Sequence, residues 1–150
     1  MAETLLRQTI EARNSAAAIE AEIALLEEAI ARWRSGEMTE EQFRAFRLKH
    51  GIYGQRQPGV QMVRVKVPSG VLDAEQLRAL AQVAEAFSTR RVHLTTRENV
   101  QFHFVKLEHV PAIMRLLAAA GLTTREACGN TVRNVTSCPL AGICPTEAFD

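Results

Sequence analysis

The sequence predicts an α+β fold, in which helices cover one face of an antiparallel sheet and a helical hairpin precedes it. Apolar residues recur at helical spacing through the first fifty positions and in two later segments. Around those later segments lie short stretches in which apolar and polar residues alternate, the pattern of strands with two different faces. At 150 residues, of which 47% are hydrophobic, the chain is long enough to bury a core of its own.

Two helices are predicted before the sheet. Residues 4–34 carry apolar side chains at three- and four-residue spacing, which predicts one long helix. Thr39 begins a second helix, with Gln42 at the position that completes a capping box and Gly51 as its stop. Residues 1–50 are therefore expected to form a helical hairpin that extends the main domain.

A glycine- and proline-containing segment, residues 51–59, follows the hairpin and is interpreted as a connector and domain boundary. The next strand is predicted over 61–67. Because successive strand residues point to opposite faces, this strand separates its valines from its basic residues. One face takes Val63, Val65 and Val67, and the other takes Met62, Arg64 and Lys66.

Asp73, with Gln76 three residues later, predicts the start of the next helix. This helix is expected to cover the apolar face of the sheet. Its buried stripe is predicted from helical spacing as Leu77, Leu80, Ala81, Ala84 and Phe87.

Two further strands are predicted near 91–95 and 99–105, joined by a tight turn, and a helix over 109–120 ends at a glycine stop. A last strand is expected near 124–127. The order strand, helix, strand, strand, helix is that of the ferredoxin-like split βαβ fold, in which helices cover one face of the sheet. Residues 51–127 are therefore interpreted as one ferredoxin-like unit.

The uncovered face of the predicted sheet is basic. Its strand positions include no acidic residue, although a solvated face normally mixes both signs of charge. Two interpretations remain open: an ordinary solvated surface, or a face that holds a large anionic ligand. The residues on this face are Arg64, Lys66, Arg91, His93, Gln101 and His103, with Arg97 in the turn between two of the strands.

Charge and cysteine content argue against several classes of protein. A net charge of +1 argues against a general nucleic-acid or membrane binder, and no apolar run approaches the length of a membrane span. Neither nucleic acid nor a membrane is therefore expected as a partner. Three cysteines, an odd number late in the chain, argue against a secreted disulfide framework and predict the reducing cytoplasm.

A second cluster of small and polar residues surrounds Arg133 within residues 128–142, which suits a backbone that approaches a ligand closely. Cys138 and Cys144 near its end are spaced as C-x5-C. Iron–sulfur clusters usually need four thiolates and the chain has three cysteines, so no metal site is predicted and these cysteines are interpreted as buried or incidental.

Over most of residues 43–145 the chain resembles the siroheme-dependent sulfite and nitrite reductases. Two elements are specific in combination: Thr-Arg-x-x-x-Gln-x-His from Thr96, and Asn-Thr-x-Arg-Asn from Asn130. The resemblance implies the N-terminal ferredoxin-like half domain of such an enzyme. The resembling segments are 46–57, 63–70, 94–103 and 129–135.

The resemblance also implies what the basic face holds. Siroheme carries carboxylate arms, which basic and amide side chains of the family surround, and its iron binds the substrate anion. Guanidinium groups in a partly desolvated pocket attract an anion and stabilise charge that develops during its reduction. The implied siroheme contacts are Arg97, Gln101, His103, Asn130 and Thr131, and the residues implied to face sulfite or nitrite are Arg64 and Arg133.

Members of that family are several times longer than this chain and bind a 4Fe–4S cluster through four cysteines of their second half. The resemblance therefore implies a portion of such an enzyme, in which residues 128–150 begin a truncated siroheme-binding domain. The complete enzyme would carry out the six-electron reduction of sulfite to sulfide or of nitrite to ammonia. Its implied partners are the missing C-terminal half and an electron donor, either ferredoxin or a flavoprotein. The chain alone is expected to show no turnover, because the cluster ligands lie outside it.

Two other functions are considered beside this one. The same face would also suit a stand-alone module that binds a tetrapyrrole or a small anion without catalysis. An RNA-binding sheet is disfavoured, because such sheets stack bases on exposed aromatic side chains. Phe102 and Phe104 are instead expected on the apolar face.

Overall fold

The computed structural model describes residues 14–147 and confirms the α+β fold. The helices are α1 (Ala16–Arg34), α2 (Glu40–Lys49), α3 (Ala74–Phe87) and α4 (Val110–Ala119). The strands are β1 (Ile52–Gly54), β2 (Val60–Val65), β3 (His93–Leu94) and β4 (Val100–Lys106). Among the described residues, no helix is both long and apolar enough to cross a membrane.

The strands form one antiparallel sheet in the order β1-β2-β4-β3. Just beyond β2, Lys66 forms a single bridge with Thr123. The strand predicted near 124–127 is wrong. Glu126 adopts a φ of +55° and donates its amide to Lys49 O (2.6 Å), so the chain turns away from the sheet there.

The core lies between the sheet and the helices, which cover one of its faces. The valines of β2 point into this core as predicted: Val63 and Val65 are fully buried, and Val67 just after them is nearly so. Helices α1 and α2 contribute to the same core, where the Phe43 ring stacks on Trp33 with centroids 4.9 Å apart. The hairpin therefore shares its core with the sheet, and a domain boundary after residue 50 stays a prediction.

The capping residues behave as the sequence predicts. Reciprocal bonds between side chain and backbone join Thr39 to Gln42 at the start of α2 and Asp73 to Gln76 at the start of α3. α4 ends in a Schellman arrangement, in which the amide of Leu122 donates back across the last turn. These local signals were sufficient because each cap involves residues only a few positions apart.

The first helix differs from its prediction at the N-terminal end. Ser15 has extended backbone angles, and its Oγ accepts a bond from Ala18 N (3.2 Å). Ser15 is therefore the N-cap of α1, and the helix predicted over 4–34 is wrong at residues 14 and 15. Residues 4–13 lie outside the described part of the chain.

The segment predicted as a connector, residues 51–59, contains strand β1, so that prediction is wrong for residues 52–54. A strand of three residues is too short for its alternation to stand out in a sequence. By pairing with β2, β1 brings the loop that follows it to the polar face of the sheet.

α3 turns a different stripe toward the core than predicted. Leu80 and Ala84 are buried as expected, with Val83 beside them, but Leu77 is 59% exposed and Ala81 is also exposed. Leu77 lies on the side of the helix toward β3, and β3 is too short to cover it.

The outer half of the sheet also departs from the prediction. β3 is shorter than the strand predicted over 91–95, and both of its residues are exposed. His103 and Phe104 together lie opposite Met62, which makes a β-bulge, and Phe104 has a φ of +59°. As a result Phe104 is 46% exposed, whereas Phe102 is fully buried on the apolar face as predicted.

Gly51 and Gly36 offer a matched test of backbone packing beneath the polar face. Both have positive φ, but a Cβ on Gly51 would overlap Thr124 O and lie 2.8 Å from Arg64 O, whereas a Cβ on Gly36 meets nothing within 4 Å. Gly36→Ala is expected to cost about 1 kcal/mol of unfolding free energy, and Gly51→Ala at least about 2 kcal/mol more. Urea denaturation measures the difference, and equal losses would mean that the backbone around Gly51 can move aside.

Candidate functional site

The polar face of the sheet carries an open cleft of about 500 Å³. β2 and β4 form its floor, β1 and the loop after it form one wall, and the segment after α4 forms the other. We call this site the basic cleft. Its basic and amide side chains are Gln55, Arg56, Gln57, Arg64, Gln101, His103 and Arg133.

Four of the seven predicted site residues come together in the basic cleft: Arg64, Gln101, His103 and Arg133. Arg64 and Gln101 are opposite each other on β2 and β4, and His103 lies two positions further along β4. Arg133 reaches the same cleft from the segment after α4. Their roles toward a ligand stay predictions.

The other three predicted site residues do not line the cleft. Arg97 is exposed in the turn before β4, and Asn130 is exposed beside the cleft-lining Gly129. Thr131 donates its hydroxyl to Glu126 O (2.7 Å), so it braces the wall from within. Three more residues of the predicted basic face also lie outside the cleft lining: Lys66, Arg91 and His93.

Arg64 is held in a defined orientation. Its Nη1 donates to Ala127 O (3.1 Å). With the Gln101 amide oriented so that its oxygen faces Arg64, Oε1 accepts from Nε (2.9 Å) and from Nη2. A guanidinium has five N–H groups, so two remain for a ligand. Gln101 is 9% exposed, and its oxygen is committed to holding Arg64.

Acidic residues do not balance the positive charge of the cleft. Within residues 14–147, no Asp or Glu lines it, and Arg56, Arg64 and Arg133 form no ion pair. Arginines elsewhere do pair with carboxylates, as Arg125 does with Glu22 at 2.8 Å. Uncompensated cations that converge in a cleft raise the local concentration of anions.

Two titratable side chains of the cleft are neutral near pH 7. The pKa of His103 is lowered by burial first, and then by the charges of His93 and Arg64. Burial raises the pKa of the Cys128 thiol, although Arg64 and Arg133 oppose that effect. A bound anion would reverse the electrostatic effect on His103, which could then take up a proton.

The wall formed by β1 and its loop was missed by sequence reasoning. Gln55 N donates to Val60 O (3.2 Å), and Gln55 Oε1 accepts from Phe104 N (2.6 Å), so the loop is fixed against β4. Arg56 and Gln57 follow and line the cleft. The available signal was the polar run after β1, but only pairing between distant segments brings it to the site.

The two late cysteines lie away from the basic cleft. Cys138 is exposed, and the sulfur of Cys144 contacts Thr146 Oγ1 at 3.3 Å. No group of three or more metal-ligating side chains assembles in the part of the chain that the structure describes. Their interpretation as incidental stays a prediction.

Comparison with known proteins gives a consistent family. Residues 53–120 match the model of the nitrite/sulfite reductase ferredoxin-like half domain. The chain is 36% identical over 117 residues to a sulfite reductase (ferredoxin) of Mycolicibacterium paratuberculosis, a match that covers 67% of this chain and 21% of the relative. It is 39% identical over 104 residues to an assimilatory ferredoxin-dependent nitrite reductase of Haloferax mediterranei, covering 61% of this chain and 18% of the relative.

A solved structure agrees with these sequence relatives. The Mycobacterium tuberculosis NirA protein is 34% identical, with a TM-score of 0.66 over 70% of this chain and 22% of NirA. The chain thus spans about a fifth of the length of the relatives that it matches. Both the match and the sheet order confirm the predicted ferredoxin-like fold. The chain belongs to the nitrite/sulfite reductase family, and residues 53–120 are its ferredoxin-like half domain.

Proposed function

We propose that the basic cleft binds carboxylate arms of siroheme, and that the chain supplies part of the sulfite or nitrite site of a larger reductase. One observation carries this proposal. Arg64 is held by Gln101 and by Ala127 O with two N–H groups left over, in a cleft that no acidic side chain of the described residues lines. Such an arrangement is preorganised for an anion, because the donors need no rearrangement to bind it.

The residues present fit the chemistry of siroheme in charge and in part in size. Guanidinium, imidazole and amide donors suit carboxylates, and the cleft supplies all three kinds. A cleft of about 500 Å³ encloses a drug-sized ligand but only part of a tetrapyrrole. The rest of the cofactor would be covered by the remainder of a complete enzyme, which would also hold the 4Fe–4S cluster.

Within this proposal, different side chains contact the substrate anion and the carboxylate arms of siroheme. Arg64 and Arg133 face sulfite or nitrite, attract the anion, and hold water that relays protons to it. In the absence of substrate, the two remaining N–H groups of Arg64 donate to a carboxylate arm. Arg97, His103 and Asn130 offer donors to the carboxylate arms. Siroheme itself would supply the iron that binds the oxyanion and would pass on to it the electrons that the external donor provides.

Gln101 and Thr131 would serve the same cofactor site differently than the resemblance implies. The oxygen of Gln101 is committed to Arg64, so its amide N–H groups are what remain for a carboxylate. The hydroxyl proton of Thr131 is committed to Glu126 O, so Thr131 supports the wall that the ligand contacts. Ferredoxin is the proposed electron donor, because the matched relatives are named for it.

A siroheme titration of the 150-residue chain, followed by the Soret band, tests the proposal. Saturable binding is expected. Arg78→Gln is the matched control for Arg64→Gln, because it removes one positive charge from exposed α3 without touching the cleft. Failure of the native chain to shift the Soret band at any siroheme concentration would contradict the proposal.

The isolated chain is expected to bind the cofactor without turning over substrate. The cluster that delivers electrons needs four thiolates, and the chain has three cysteines. An assay with reduced viologen and either sulfite or nitrite measures this directly. Multiple turnovers by the isolated chain would show that the site is complete without another half.

Siroheme affinity is expected to rise as the pH falls through the pKa that His103 has in the complex. In the free protein that pKa is lowered by burial, His93 and Arg64, and bound carboxylates would raise it, so binding takes up a proton. The pH dependence of folding stability has the opposite sign to that of siroheme affinity. In the free protein, folding stability declines as the pH falls below about 6.5, because unfolded His binds the proton more readily. Titrations at several pH values with native and His103→Gln protein measure the effect, and identical pH slopes would contradict it.

A stand-alone binding module is the second candidate. It is favoured by the fact that the contacts that orient Arg64 all come from this chain, so one anion site is formed without a partner. Titration with sulfite in the absence of siroheme distinguishes the two. Tight sulfite binding by the chain alone would favour the module, whereas sulfite binding that requires siroheme would favour the reductase portion.

A further inference from the structure

Asn134 joins three separate segments beside the basic cleft. Its Nδ2 donates to Val67 O (2.9 Å) and to Arg97 O (2.9 Å). Val67 follows β2, Arg97 lies in the turn before β4, and Asn134 directly follows Arg133, which lines the cleft. One side-chain amide therefore fixes the Arg97 turn relative to the segment that carries Arg133.

Other hydrogen bonds attach the neighbouring backbone, and none of them holds Arg97 itself. Ser69 N donates to Val135 O (2.9 Å), so the backbone next to Asn134 is tied to the chain after β2 as well. Asn99, 2% exposed, accepts from Val67 N through its Oδ1 (3.3 Å). The Asn99 end of the turn is thus attached to the chain after β2 independently of Asn134. The bond from Asn134 adds an attachment at the middle of the turn, at Arg97 itself.

The orientation of the Asn134 amide is determined by its partners. Both neighbours of Nδ2 are carbonyl oxygens, so the reverse orientation would place Oδ1 against two acceptors. Oδ1 is buried and has no hydrogen-bond partner among residues 14–147. A buried unpaired acceptor costs about 1–3 kcal/mol, so the position tolerates this cost while keeping both donors.

We propose that Asn134 is a positioning residue that holds the Arg97 turn, and with it the Arg97 guanidinium, at the rim of the basic cleft. This inference rests on the proposed siroheme function, in which Arg97 binds a carboxylate arm although it lies outside the cleft lining. Arg97 is exposed and its side chain has many rotamers, so anchoring its backbone reduces the freedom that binding must remove. Asn134 itself need not touch the ligand.

A double-mutant cycle in the siroheme titration tests the inference. Arg97→Gln is expected to weaken binding about tenfold in the native chain, the effect of losing one charge-assisted hydrogen bond. In an Asn134→Ala background, which removes both donors without adding charge, the same change is expected to weaken binding less than about twofold. Arg64→Gln should retain its full effect in both backgrounds, because Gln101 and Ala127 hold Arg64.

The possible outcomes separate this inference from the function on which it rests. Siroheme binding in which Arg97→Gln and Asn134→Ala act additively, or in which Arg97→Gln has no effect, overturns the positioning role and leaves the proposed function intact. No siroheme binding by the native chain overturns both. If Asn134→Ala does not fold, as judged by near-UV circular dichroism, Asn134→Ser replaces it in the cycle, because its hydroxyl retains a single donor.

Discussion

Replacing Arg64 with Gln is expected to weaken siroheme binding by about 100-fold, the largest functional effect of any single change in the basic cleft. Two of its five N–H groups are free to meet a carboxylate or oxyanion, and each charge-assisted bond contributes about 1.5–3 kcal/mol. Arg64→Lys keeps the charge but loses the planar fork, so an intermediate loss of about tenfold is expected. Soret titrations of the three proteins measure the series.

The control for this series is Arg78→Gln, which changes the net charge equally on the opposite side of the fold and should leave the affinity within about twofold. Removing Arg64 also leaves Ala127 O without its partner, so thermal unfolding must be measured in parallel. A Gln variant that folds normally and binds siroheme as tightly as the native chain would falsify the role of Arg64 in the cleft.

Phe43→Ala is expected to destabilise the whole fold by about 3–5 kcal/mol, the range for truncating a fully buried Phe. Phe43 belongs to the hairpin but is packed in the core that the sheet shares. The chain has one tryptophan, Trp33, and it stacks on Phe43, so its fluorescence reports on the hairpin. Far-UV circular dichroism reports on the whole chain, and in native and variant proteins both signals should shift together in urea.

Phe104→Ala is the matched control for Phe43→Ala. The same side chain is removed, but Phe104 is 46% exposed, so a loss below about 1 kcal/mol is expected. A Phe43→Ala protein in which tryptophan fluorescence changes at low urea while circular dichroism does not would identify the hairpin as a separately folding extension. That result would support a division of the chain near residue 50.

Local signals in the sequence predicted the helices well. The capping boxes of α2 and α3 and the stop after α4 depend on residues within one turn of each other, so short motifs were enough. The strands were harder. The bulge at Phe104 and the three residues of β1 depend on pairing partners far away in the chain, which a local pattern does not contain.

In the candidate site, too, local sequence patterns were predicted and contacts between distant segments were not. Arg64, Gln101 and His103 were found from strand alternation, because one face of β2 and β4 carries polar residues two positions apart. Arg133 came from the motif after α4. Arg56 and the Gln55 wall were missed, and the commitment of Gln101 to Arg64 was not foreseen, because each depends on contacts between segments distant in sequence.

The sequence by itself determined the fold class, the family and the chemical character of the polar face. Those properties depend on residue type and on spacing within single elements, where hydrophobic burial and capping act locally. Tertiary structure alone decided which basic residues converge in one cleft, which of them are paired, and which side chains support the walls of the cleft. Arg64 illustrates the reason: strand pairing sets its distance from Gln101, and the turn after Thr123 brings Ala127 O within reach.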